Sequence, residues 1–96
     1  MKIRNVRLKG LKRFILKSDA SGLPADYVGK ILNIVAFLQD MSTEAELQSV
    51  PTWKAHQLTG DRHGVWSLFV SRNWRITFAI DNDEIQIIDL DFEDYH

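Results

Sequence analysis

Hydrophobic positions follow two rhythms along the chain, one before Trp53 and one after it. In "IRNVRL" (3–8), Ile3, Asn5 and Arg7 alternate with Arg4, Val6 and Leu8, which predicts a weak first strand. In "GLKRFILKS" (10–18), Leu11, Phe14 and Ile15 recur at helical spacing and predict a short helix. The turn residues of "DASGLP" (19–24) end it. From Pro24 to Asp40, the positions Val28, Ile31, Leu32, Val35 and Leu38 trace one face of a long helix. Pro24 suits a first helical turn, where a missing N–H costs nothing. Thr43 and Glu46 have capping-box spacing and predict a single helical turn, halted by Pro51.

Beyond Trp53 the period is two. Trp66, Leu68 and Val70 share one face of a strand; Trp74, Ile76, Phe78 and Ile80 share one face of the next. "SRN" (71–73) is a tight hairpin between them, and "DND" (81–83) is a second turn. "EIQIIDLDF" (84–92) follows as a third strand. Its apolar phase shifts between Ile87 and Ile88, which predicts a bulge or burial on both faces. The element order predicts an α+β domain, with two N-terminal helices packed on one face of a small antiparallel β-sheet. The other face then carries Ser67, Phe69, Arg75 and Thr77, with Lys54 or His56 beside them. That is a polar platform rather than a core face.

Composition narrows the class. The chain has 96 residues, 45% of them apolar, which predicts one domain over residues 1–96 with a single modest core. No apolar stretch has the length of a membrane span, and no apolar signal core follows the basic start, so a cytoplasmic protein is expected. There is no cysteine, which excludes a disulfide framework, a thiol nucleophile and a Cys-based zinc site. The net charge of −1 hides an asymmetry. Lys2, Arg4, Arg7, Lys9, Lys12, Arg13 and Lys17 precede the first acid, while Asp81, Asp83, Glu84, Asp89, Asp91, Glu93 and Asp94 crowd the other end. The basic segment fits a polyanion or an acidic partner; equally, the two segments can neutralise one another within the fold.

Several side chains have chemistry to offer. His56 precedes Gly60 at the end of a predicted strand. If the final strand ends at the same edge, His56 meets Asp94, Tyr95 and His96, and two imidazoles can serve as base and acid near neutral pH. Arg75 alternates with the inward Trp74 and Ile76, so it projects from the polar face, suited to a phosphate oxygen gaining charge. "GDRHG" (60–64) sets Arg62 and His63 at a loop tip and lacks the P-loop pattern. His56, His63 and His96 have no metal-ligand spacing, and Ser67 has no nucleophile elbow. Trp53, Trp66 and Trp74 read as core and edge packing.

"KGLKRF" (9–14), "GDRHGVWSL" (60–68), "NWRITF" (73–78) and "DFEDYH" (91–96) occur in an order that resembles HigB-type toxins of the RelE/ParE superfamily, from type II toxin–antitoxin systems. The resemblance runs from about Arg4 to His96. It implies an mRNA endonuclease acting in the ribosomal A site, with no metal or cofactor. It implies neutralisation by a HigA-like helix-turn-helix antitoxin, operator DNA being met only through that complex, and no membrane partner. By motif it implies catalytic roles for His56, Arg75, Asp94, Tyr95 and His96, with Lys54, Arg62 and Arg72 as RNA or phosphate contacts. One departure is Thr59, where many relatives have Lys before the loop glycine. The alternative implied is a non-catalytic binder, either a ParE-like gyrase inhibitor or an attenuated toxin that only binds its antitoxin.

Overall fold

The structure, a computed structural model, describes residues 1–94. It comprises β1 (Lys2–Ile3), α1 (Lys9–Lys17), α2 (Val28–Asp40), β2 (His56–Gln57), β3 (Trp66–Phe69), β4 (Trp74–Asp81) and β5 (Gln86–Asp94). The strands form one sheet in the order β1-β5-β4-β3-β2. The four later strands pair antiparallel, as the hairpin pattern predicts, while β1 runs parallel to β5 at one edge. This α+β architecture carries its helices on one side of the sheet.

The helical elements differ in detail from the expectation. Pro24, with φ −60° and ψ 125°, lies just outside the helix, and a 3-10 turn over Ala25–Tyr27 leads into α2. Ile31, Ile34, Val35 and Leu38 form the buried face of α2, whereas Leu32 is exposed. The sequence reading put Leu32 in the stripe and left out Ile34; packing buries Ile34, three residues after Ile31, in its place. Gly10 in α1 lies against the backbone of Gly22; a Cβ on Gly10 would stand 2.6 Å from the Gly22 carbonyl oxygen. Only glycines allow that approach. The capping-box residues work in part. The Glu46 carboxylate accepts from the backbone N–H groups of Ser42 and Thr43 at 2.7 and 2.8 Å, opening a 3-10 segment over Glu44–Ser49. Pro51 ends that segment by starting another 3-10 turn, Pro51–Trp53.

The first strand is much shorter than 3–8, because the backbone beyond Ile3 fits itself to an irregularity in β5. Ladder partners run Ile76↔Phe92 and Thr77↔Asp91, then Ala79↔Ile88 and Ile80↔Ile87, so β5 holds one extra residue. The bulge centres on Asp89, whose φ is +54°. Asn5 braces it: its side-chain amide donates to Asp89 Oδ1 at 2.9 Å, and its Oδ1 accepts from the Asp89 N–H at 3.0 Å. The bulge lets both Ile87 and Leu90 face the core despite their odd spacing, and Phe92 resumes the alternation. The predicted phase shift is therefore real.

The buried side chains form one cluster between the helices and the sheet, including Leu11, Ile31, Ile34, Leu38, Leu47, Leu68, Ile76, Phe78, Ile87 and Leu90. Trp74 stacks on Phe92 at 4.5 Å and 7°, and Trp53 meets Phe37 edge-on at 5.0 Å, so these tryptophans pack as expected. Among the described residues, no helix is long and apolar enough to cross a membrane.

Candidate functional site

Strand alternation puts the polar residues together on the side of the sheet away from the helices. Register pairs His56 with Ser67, Ser67 with Thr77 and Thr77 with Asp91, a row across β2, β3, β4 and β5. The adjacent row is Phe69, Arg75 and Glu93. A cavity of about 240 Å³ opens here, lined by Leu58, Arg62, Ser67, Arg75, Thr77, Glu93 and Asp94. Ser67 and Thr77 are nearly fully buried at its floor, at 2% and 4% exposure.

Arg62, Arg75 and Glu93 have defined partners at this site. Arg75 Nη1 donates to the carbonyls of Ser71 and Trp74 at 2.6 and 3.0 Å, so the β3–β4 hairpin holds its guanidinium. The Arg75 guanidinium also lies 4.8 Å from the Phe69 ring centroid, and Lys54 Nζ lies 5.0 Å from the same ring. One aromatic side chain thus gathers two cations beside the cavity.

Arg62 closes another wall. It belongs to a 3-10 turn, Gly60–Arg62, in a loop whose glycines take φ of +69° (Gly60) and +87° (Gly64). Its side chain turns back and forks the Glu93 carboxylate, Nη1 to Oε1 at 2.9 Å and Nη2 to Oε2 at 2.6 Å. The Thr77 hydroxyl donates to Glu93 Oε2 as well. Arg62 beside Glu93 holds that carboxyl below the ordinary carboxylate range, and the pairing raises the arginine in turn. Burial pushes neighbouring Asp91 the other way, upward.

His56 lies exposed on the short edge strand β2. Its Nδ1 is 2.9 Å from the Lys54 carbonyl oxygen. A carbonyl only accepts, so Nδ1 carries the proton and the Nε2 lone pair is the basic position of the neutral ring. Lys54 takes φ +48° at the end of the preceding 3-10 turn, and only Ala55 separates that left-handed residue from β2.

A family model described as "RelE-like toxin of type II toxin-antitoxin system HigB" matches residues 4–96. The protein named Endoribonuclease HigB from Proteus vulgaris is 40% identical over 94 residues, covering 98% of this chain and 99% of that one. This chain is a HigB-type, RelE-like toxin. A solved structure described as a YoeB/ParE toxin from Agrobacterium tumefaciens has the same fold, with a TM-score of 0.59 at 17% identity, covering 100% of this chain and 99% of that one.

Within this HigB-type toxin, the sequence-predicted residues separate into groups. Arg62, Arg75 and Asp94 line the cavity, and His56 stands beside Ser67 at its edge. Asp94 pairs with Trp74, one step out of phase with Glu93, yet it still lines the cavity where β5 ends. Lys54 reaches the site through Phe69. Arg72 sits at the hairpin tip and is not among the cavity-lining residues. Tyr95 and His96 lie outside the described residues. Among the described residues, no group of three His, Asp or Glu side chains is gathered as a metal would need.

Glu93 and Asp91 were missed as site residues, although the sequence held a signal. Once the bulge fixes the phase of β5, Asp91 and Glu93 alternate with the buried Leu90 and Phe92 and must face the platform. The crowd of acids around them disguised the two that matter.

Proposed function

We propose that this toxin is a ribosome-dependent mRNA endonuclease, one toxin domain that cleaves translated message by attack of the RNA's own 2′-hydroxyl. The observation that carries the reading is the shared cavity. A hairpin-held Arg75 lines it together with Asp94, and a histidine with a defined basic nitrogen stands at its edge. The strong likeness to a protein named as an endoribonuclease supports it.

RNA places a 2′-hydroxyl beside each phosphodiester. Removing its proton makes an internal nucleophile, which attacks phosphorus and expels the 5′-oxygen of the next nucleotide. The products are a 2′,3′-cyclic phosphate, or its 3′-phosphate hydrolysis product, and a 5′-hydroxyl. His56 and His96 form the proton-transfer pair, since an imidazole can accept a proton at one ring nitrogen and donate one from the other. Asp94 orients an imidazole or keeps it charged, and Tyr95 stacks on a base or donates a hydrogen bond. Arg75 stabilises the charge that builds on the phosphorane oxygens. Lys54, Arg62 and Arg72 hold RNA phosphates, with salt-sensitive affinity. The basic segment from Lys2 to Lys17 contacts ribosomal RNA or the acidic partner. A HigA-like helix-turn-helix antitoxin neutralises the toxin and brings it to operator DNA, and both act in the cytoplasm.

The test is to induce wild-type protein and the His96→Ala and Arg75→Ala variants in a bacterial host and map mRNA 5′ ends. Cuts inside translated frames that vanish in the variants are the expected outcome. Growth arrest with intact mRNA and DNA breaks would move the reading to a gyrase inhibitor.

A further inference from the structure

Glu93 is fully engaged in the cavity wall. Both of its oxygens accept from Arg62, and Oε2 also accepts from the buried Thr77 hydroxyl. A carboxylate so occupied, with its pKa depressed, is a poor proton acceptor. It is therefore no candidate for the general base. Its geometry instead acts on Arg62. Two of the five guanidinium N–H donors go to Glu93; the others have no partner among the described residues. The Arg62 side chain is 46% exposed, while Glu93 beneath it is 28% exposed. Among the described residues, this fork is the only side-chain hydrogen bonding between the 58–65 loop and β5. Backbone bonds close the loop, from the Leu58 N–H to the Val65 carbonyl at 2.8 Å and from the Val65 N–H to the Arg62 carbonyl at 3.1 Å, so what is left to the fork is the direction of the long Arg62 side chain.

We propose that Glu93 is a positioning residue: seated by Thr77, it aims the Arg62 guanidinium into the cavity so that its remaining donors meet the phosphate under attack. The role rests on the nuclease reading above. Thr77 supports the carboxylate from the sheet, the carboxylate supports the arginine, and the arginine meets substrate. This arrangement puts a cation at the loop beside Thr59, which has none to offer. The fork lowers the ordering entropy of a long side chain before RNA arrives.

The test is single-turnover cleavage of mRNA on programmed ribosomes by wild type, Glu93→Gln, Glu93→Ala, Arg62→Ala and the Glu93→Ala/Arg62→Ala double variant, with melting curves for each. A misaimed group costs on the order of ten- to a hundredfold in rate. Glu93→Ala should fall in that range, in kcat rather than KM, because the contact matters most as charge develops. Isosteric Glu93→Gln should fall between it and wild type, and it serves if Glu93→Ala loses its fold. The double variant should be no slower than Arg62→Ala alone. Additive losses, or a loss that follows the melting temperature in both backgrounds, would overturn the positioning role and leave the nuclease reading standing. So would Glu93→Ala cleaving like wild type. Absence of cleavage by the wild type would overturn the nuclease reading and this role with it.

Discussion

The two sides of the sheet bury their residues by different means. Toward the helices, β3, β4 and β5 present Leu68, Ile76, Phe78, Ile87, Leu90 and Phe92, all buried in apolar contact. Away from the helices, the same strands present Ser67, Thr77, Arg75, Asp91 and Glu93. Ser67 and Thr77 are as inaccessible as the core, yet Thr77 is bonded to one member of an ion pair, the Glu93 carboxylate that Arg62 forks. Apolar packing tolerates approximate shapes, whereas a buried polar wall requires its hydrogen bonds to be made. One side therefore sets stability and the other sets where charges stand. Along β4 the two duties alternate residue by residue, so neighbouring substitutions should fail in different ways.

The sharpest contrast is between Phe78 and Arg75. Phe78→Ala removes a fully buried ring from the core and should cost about 3–5 kcal/mol, enough to unfold a marginal domain. Urea denaturation would measure it. Arg75→Ala should leave the fold in place, losing about 1 kcal/mol from its bonds to the Ser71 and Trp74 carbonyls. Its cleavage rate should fall about 10²–10³-fold, as for loss of one donor to a developing oxyanion. If Arg75→Ala instead unfolded like Phe78→Ala, the division between faces would be wrong.

A smaller effect lies where the two sides are kept in phase. Asn5→Ala removes both side-chain bonds bracing Asp89 and should cost about 1–2 kcal/mol. Because the bulge sets which residues of β5 face the platform, the loss should show in slow-exchange amides near Leu90 and Phe92 before it shows elsewhere. Protection lost uniformly across the sheet would mean Asn5 supports the fold in general rather than the bulge.

That phase dependence also explains how much could be read in the sequence. Period-two alternation in β3 and β4 needs no long-range information, and from it Ser67, Arg75 and Thr77 were assigned to the platform correctly. The α2 stripe was readable apart from the exchange of Leu32 for Ile34, because two residues on adjacent sides of a stripe are separated only by what packs on them. The parallel pairing of β1 was not readable. Two residues of pattern carry no direction, and the pairing rests on Asn5 meeting a bulge more than eighty positions away. Arg62 was legible as a cation at a loop tip but not as a partner of Glu93, since a fork between them depends on how the loop folds back. His56 was legible as a candidate; the bond that fixes its tautomer comes from a left-handed Lys54, which no local pattern announces.

The finest separation is between Asp91 and Glu93, two carboxylates on one face of one strand with opposite surroundings. Arg62 holds Glu93 below the ordinary range, so the pair's stabilisation is complete above the unfolded value of about 4.3 and is lost as pH falls through the depressed folded value. Burial raises Asp91 above its unfolded value of about 3.9, so ionising it works against folding. That penalty is full above the raised folded value and disappears as pH falls below the unfolded one. Acidifying from neutrality should therefore first relieve Asp91 and only later break the Arg62–Glu93 pair. Asp91→Asn should raise stability at neutral pH and remove the early relief. Glu93→Gln should lower stability at neutral pH and flatten the steep decline below the ordinary carboxylate range. Urea midpoints measured from pH 7 downward would read both slopes. An unchanged acid limb in Glu93→Gln would mean that the Arg62 pair is too well solvated to contribute to stability, leaving aim as its whole contribution to the site.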